Sequence, residues 1–145
     1  MNIEKDIHQV VFFLIEKTNK MAKQHSAIRF AERGMDITVD QWVLMKFIHE
    51  HPGCSQATIA ENAFKDAASI TRMLDLLAKK GFIERHPIEN NRRQFSIHLT
   101  EAGEDYVNDH IEFVQQLRDE STTGLSNDEI DSLKSMLIRI QNNLK

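Results

Sequence analysis

At 145 residues, 41% of them hydrophobic, the sequence has the length of one domain, large enough for a core and small enough that long helices would need a partner. Its single cysteine excludes an intrachain disulfide framework and suits a reducing compartment, and the opening MNIEKDIHQV lacks the features of a secretory signal. No apolar run reaches the length of a membrane span, so a soluble, cytoplasmic protein is expected, with a net charge of −4 whose distribution matters more than its total.

Ile3 to about Arg33 reads as one long helix, with Ile3, Ile7, Val10, Val11, Leu14, Met21, Ala22 and His25 on or near one stripe and no Gly or Pro before Gly34. Phe12, Phe13 and Ile15 widen the apolar surface beyond one face, which predicts contacts on two sides and hence dimerisation. Thr38-Val39-Asp40-Gln41 forms a capping box ahead of Trp42, Val43, Leu44, Met45, Phe47 and Ile48, so a buried helix is expected to about His51, ending at Pro52-Gly53.

Ser55 to Gly81 is the stretch around which the rest is arranged. Ser55 can cap a short helix running to about Ala63, with Cys54 placed as a staple toward Ile59. Asp66 opens a second helix whose Ile70, Met73, Leu74 and Leu77 recur at three and four residues and draw one buried stripe. Its other face carries Ala67, Ala68, Thr71, Arg72 and Asp75. Those residues are small at the start and polar beyond, as a helix needs if its first turns are to approach base edges. Lys79-Lys80-Gly81 closes it with basic residues and a left-handed stop. This pair is a helix-turn-helix.

After Gly81 the period drops to two. Phe82–His86 and Gln94–Leu99 predict a β-hairpin, joined by the turn-rich 87–93 segment with Arg92 and Arg93 at its basic tip, which is the chemistry of a phosphate- or minor-groove-seeking wing. Between Asn62 and Thr100, seven Lys/Arg face four acids, a balance of +3; the rest of the chain, with 11 Lys/Arg and 18 acids, carries −7. The positive charge therefore falls on the proposed reading element. Thr100 caps a helix through about Glu120, Ser121-Thr122-Thr123-Gly124 breaks it, and the Ser126–Glu129 capping box starts a last amphipathic helix with Ile130, Leu133, Leu137, Ile140 and Leu144. The fold class expected is mainly α with a small β-hairpin wing.

The order of these elements resembles the MarR (multiple antibiotic resistance regulator) family. The residues that carry the resemblance are Pro52-Gly53-Cys54-Ser55-Gln56, Ser69-Ile70-Thr71-Arg72, Lys80-Gly81-Phe82-Ile83, the Arg92-Arg93 wing and Leu99-Thr100-Glu101-Ala102-Gly103. The resemblance covers nearly the whole chain. It implies a winged helix-turn-helix domain over 36–100, dimerisation helices at 1–34 and 121–145, a connecting helix at 100–120, and a homodimer that binds a pseudo-palindromic operator, usually as a repressor released by a ligand. Carried over residue by residue, Ala67, Ala68, Ser69, Thr71 and Arg72 match the family's major-groove surface, and Arg92 and Arg93 match its wing tip. Lys65 and Lys79 are expected on phosphates beside them. The wing departs from the family's Asp-x-Arg-Asp-x-Arg pattern: Ile88 to Arg93 retain only the final arginine, and Asn91 supplies no charged partner. Small aromatic acids are common effectors in the family, and a pocket between the dimerisation helices and the reading domain would be lined by residues such as Phe12, His25, Trp42 or Met45, although Trp and Met at helical spacing are ordinarily core.

The remaining chemistry is sparse. The seven histidines are scattered, His49-x-His51 being the closest approach to ligand spacing, so no metal or other cofactor is expected. Cys54 is read as a packing residue. No nucleophile with a base, no paired acids and no phosphate-cradling loop stands at usable spacing, which argues against an enzyme. A winged-helix protein-interaction module without specific DNA binding is the second functional class.

Overall fold

A computed structural model describes residue 3, residues 5–63 and residues 65–145, with Arg92 described in its backbone alone. After one 3₁₀ turn at Ile7–Gln9, its elements are α1 (Val11–Arg33), α2 (Val39–Glu50), β1 (Cys54–Ser55), α3 (Gln56–Asn62), α4 (Ala67–Lys79), β2 (Ile83–Ile88), β3 (Asn91–Leu99), α5 (Glu101–Ser121) and α6 (Asn127–Asn143). They fall into two compact units, one ending at Ile111 and the other spanning Glu112–Lys145.

In the first unit, side chains that satisfy orphan backbone groups set most helix starts. Thr38 Oγ1 accepts from Gln41 N at 3.1 Å while Gln41 Oε1 accepts from Thr38 N at 3.0 Å, completing the expected capping box of α2. Ser55 Oγ accepts from Thr58 N at 3.0 Å, and Asp66 Oδ1 from Ser69 N at 2.7 Å. The start of the first helix differs from expectation. Asp6 Oδ1 accepts from His8 N and holds a separate turn, Val10 is extended (φ −70°, ψ 128°), and α1 begins at Val11 rather than Ile3. A local Asp-backbone bond thus outcompetes continuation of the apolar stripe.

The core of this unit gathers Trp42, Met45 and Ile48 from α2, Ile59 from α3, Ile70, Leu74 and Leu77 from α4, Ile97 from β3 and Val107 from α5. The expected two-stranded wing is a three-stranded antiparallel sheet in the order β1-β3-β2, because Cys54 and Ser55 pair with Ile97 and Ser96. The hairpin is also longer than expected. β3 begins at Asn91, so the tip narrows from the 87–93 connection to Glu89-Asn90, with Asn90 in the left-handed region (φ 67°) and the register shifting between Pro87 and Ile88. Gly103 is fixed by a close approach: a Cβ there would collide with the Phe82 carbonyl oxygen. Thr100 seals the same corner, its N–H donating to Phe82 O at 3.0 Å and its hydroxyl to Gly81 O at 2.5 Å.

The second unit contains the end of α5 and all of α6, which starts at a second capping box between Ser126 and Glu129. No α6 residue is buried, and Leu133, Met136 and Ile138 lie exposed along it. No described helix is long and apolar enough to cross a membrane.

Candidate nucleic-acid interface

The two faces of α4 divide as its period dictates. Ile70, Leu74 and Leu77 are buried, while Ala67, Ala68, Thr71, Arg72 and Asp75 are exposed and Ser69 is half-buried. The Asp66 cap keeps the first turn formed, and the N–H and hydroxyl groups of Ser69 that bond to it hold the Asp66 carboxyl below its ordinary 3.8. On the exposed face, Thr71 Oγ1 donates to Ala67 O at 3.0 Å and accepts from Gln56 Nε2 of α3 at 3.1 Å. Arg72 Nη2 donates to Ser69 Oγ at 3.1 Å, over a shallow depression of about 310 Å³ bordered by Gln41, Lys65, Ser69, Met73 and Leu76.

The cations around this helix differ in how far they are committed. Lys79 is exposed on the last turn of α4. Lys80 is folded onto the α1–α2 loop, its Nζ donating to Asp36 O at 2.9 Å and to Asp36 Oδ2 at 3.0 Å. Lys65 lies 3.4 Å from Asp40 Oδ2, while Lys23 of α1 takes the other carboxylate oxygen at 2.9 Å. Partial burial alone would raise Asp40; hydrogen bonds and charge from Lys23 and Lys65 outweigh it and hold the carboxyl below its ordinary 3.8. On the wing, Arg93 is exposed, with its N–H donating to Asn91 Oδ1 at 3.2 Å, and the side chain of Arg92 lies outside the described residues. Arg85 on β2 reaches α4 through Asp75. Neither Gln56 nor Arg85 was marked as a site residue by the sequence, because their partners lie 15 and 10 residues away with no local pattern to announce them.

A cavity of about 760 Å³ lies where α1 faces α2, α3 and α4. Phe12, Ile15, Asn19, Ala22 and Ser26 line it from α1 at helical spacing, Val43 and Phe47 from α2, Ile59 from α3 and Met73 from α4, with Lys23, Asp40 and Lys65 also in its wall. Of the four residues expected at an effector pocket, Phe12 lines this cavity. Trp42 (1% exposed) and Met45 (0%) are instead sealed in the core, because they occupy the inward stripe of α2, and His25 is exposed on α1 outside the lining. Among the described residues no three His, Cys, Asp or Glu side chains converge on a metal-sized space. Burial pushes the Cys54 thiol up, away from the thiolate a reactive cysteine needs.

Residues 37–95, from just before the α2 cap to the middle of β3, match the model of the MarR family. Across nearly the whole chain the fold is similar to that of the transcriptional regulator SlyA, at 27% identity and a TM-score of 0.82, covering 92% of this chain and 93% of that one. It is similar to a mutant MarR from E. coli complexed with operator DNA, at 25% identity and a TM-score of 0.81, covering 94% and 99%. It also matches Bordetella bronchiseptica BpsR, a protein whose DNA binding is regulated by 6-hydroxynicotinic acid, at 16% identity and a TM-score of 0.83 over 96% and 98%; at that identity the likeness is one of fold. With a helix-turn-helix, a wing and flanking helices in this order, the chain matches the MarR family model over residues 37–95 and shares its fold with winged-helix transcription regulators.

Proposed function

We propose that the protein represses transcription as a cytoplasmic homodimer, binding a pseudo-palindromic operator and leaving it when a small molecule occupies the protein. The observation that carries the reading is the exposed face of α4, where two alanines and a threonine allow close approach and Arg72 supplies a fork of donors for base edges. In this reading Ala67, Ala68, Ser69, Thr71 and Arg72 enter the major groove, while Lys65, Lys79, Arg92 and Arg93 engage phosphates or the adjacent minor groove. Residues 36–100 form the reading domain, 100–120 the connection, and 1–34 with 121–145 the dimer interface. The exposed Ile7, Phe12 and Leu14 at one end of the chain and Leu133, Met136 and Ile138 at the other supply the apolar surface a dimer would bury. The cavity beside α1, apolar with two lysines sharing one aspartate, is the site proposed for the effector, with Phe12 in its wall.

The test is fluorescence anisotropy on duplexes selected from a random pool, run across a salt series. The expected result is an inverted-repeat site, with half-sites about one helical turn (34–36 Å) apart, bound at least about a thousandfold tighter than random DNA. A pool that enriches no site, with weak binding even at low salt, would refute the reading and leave a winged-helix protein-interaction module.

A further inference from the structure

The hydroxyl of Thr71 is spoken for before any DNA arrives. Threonine has one O–H proton and two lone pairs. Its Oγ1 stands 3.0 Å from the Ala67 carbonyl oxygen, which can only accept, so the proton is spent inside α4. The Gln56 amide nitrogen stands 3.1 Å from the same Oγ1, and with the proton committed the oxygen must accept there. Gln56 belongs to α3, at the first position after the Ser55 cap, so the bond ties the two helices of the motif together on their exposed side. No proton is left on Thr71 for the acceptors that guanine, adenine or thymine present in the major groove. Besides one lone pair, which could serve only a base amino donor, Thr71 retains its γ-methyl group, on a face shared with Ala67 four residues earlier and beside Ala68, both exposed. A small apolar patch at the start of a reading helix matches one feature of the major groove, the C5-methyl group of thymine.

We propose that Thr71 reads a thymine methyl group, and that Gln56 is the positioning residue that holds Thr71 in that role from the preceding helix. The inference rests on the DNA-binding reading above and deepens it. It makes Thr71 an apolar contact rather than a hydrogen-bonding one, and it extends base selection to a side chain outside the recognition helix. The geometry also fixes the Gln56 amide: one N–H faces Thr71, leaving the amide oxygen and the second N–H for DNA.

The test uses the full-length protein and the operator recovered by selection. Each thymine of both half-sites is replaced in turn by deoxyuridine, which keeps every hydrogen-bonding group and lacks only the C5-methyl, and the ratio of affinities for the thymine and uracil operators is measured by anisotropy. For the wild type, one thymine in each half-site is expected to show a ratio of about four, the worth of one buried methyl group. Thr71→Val, which keeps the methyl but gives up the bond to Gln56, is expected to show a ratio above one and below that of the wild type; Thr71→Ser, which keeps the hydroxyl and lacks the methyl, is expected to bring it to one. Gln56→Ala is expected to shrink the ratio at that same thymine, a change that general loosening of the motif would not confine to one base. Thermal melting of each variant establishes that it is folded. An operator with no uracil-sensitive thymine, or a Thr71→Ser protein with the wild-type ratio, would overturn the inference while leaving DNA binding intact. A pool that enriches no site would overturn both.

Discussion

Arg85 Nη2 on the first strand of the wing lies 2.7 Å from Asp75 Oδ1 on the recognition helix. The arginine side chain is 24% exposed and the aspartate 60%, so the pair is screened on one side and shielded on the other. It ties the side of α4 to the first strand of the wing. Asp75→Ala and Arg85→Ala are each expected to cost under about 1 kcal/mol of stability in chemical denaturation. The double variant is expected to lose less than the sum of the two, because both singles remove the same bond. Additive losses would show that the pair does not interact in solution.

Arg72 and Arg93 are both exposed arginines, and their expected contacts separate them. Arg72 projects from the exposed side of α4, which is proposed to enter the major groove, so Arg72→Ala is expected to relax base preference and to cost about 1–3 kcal/mol on the operator, with little change on random DNA. Arg93 stands near the wing tip, where its proposed partner is a phosphate or the narrow minor groove, so Arg93→Ala is expected to weaken all sequences alike and to lower the salt slope by about one. Titrating the two variants on operator and random duplexes from 50 to 200 mM salt distinguishes them. An Arg72→Ala protein that weakens both duplexes equally would move Arg72 to the phosphate class.

The corner where the wing returns to α5 gives a sharper stability test. A Cβ at position 103 meets the Phe82 carbonyl oxygen and comes within 3.3 Å of Leu99 Cβ. Phe82 O is already accepting from Thr100 N, so the obstructing atom is backbone held in place by its own bond. Gly103→Ala, ordinarily favourable inside a helix, is therefore expected to destabilise by about 1–3 kcal/mol. A variant melting at or above the wild-type temperature would show that the corner relaxes.

What could be read from the sequence follows from the range of each interaction. The caps at Thr38, Ser55, Asp66 and Ser126 were legible because donor and acceptor sit three residues apart, and the buried stripe of α4 because it repeats within one helix. The short strand at Cys54–Ser55 was not, since two residues carry no period and their partners lie some forty positions later at Ser96 and Ile97. The same limit hid the bond from Gln56 to Thr71 and the engagement of Lys65 by Asp40. In α2, hydrophobic spacing marked Trp42 and Met45 as inward-facing without telling core from cavity wall; the cavity takes Val43 and Phe47 from the adjoining stripe.

His110 supplies a pH dependence with a definite sign. Arg33 Nε donates to His110 Nδ1 at 3.0 Å, joining the end of α1 to α5, and that nitrogen can accept only while it is unprotonated. Partial burial, then the charge of Arg33, hold the imidazole below its ordinary 6.5, with Asp109 opposing. A group whose pKa is lower in the folded state leaves the unfolded chain binding more protons in the intervening range, so stability rises with pH there. The contribution is complete above about pH 6.5 and is lost as the pH falls through the folded pKa. The melting temperature is accordingly expected to fall on going from pH 7.5 to pH 5. His110→Gln keeps an acceptor for Arg33 and cannot titrate, so its melting temperature is expected to fall less over the same range. Parallel curves for wild type and variant would show that His110 is not linked to folding, and a steeper fall for the variant would mean that protonation strengthens the α1–α5 contact.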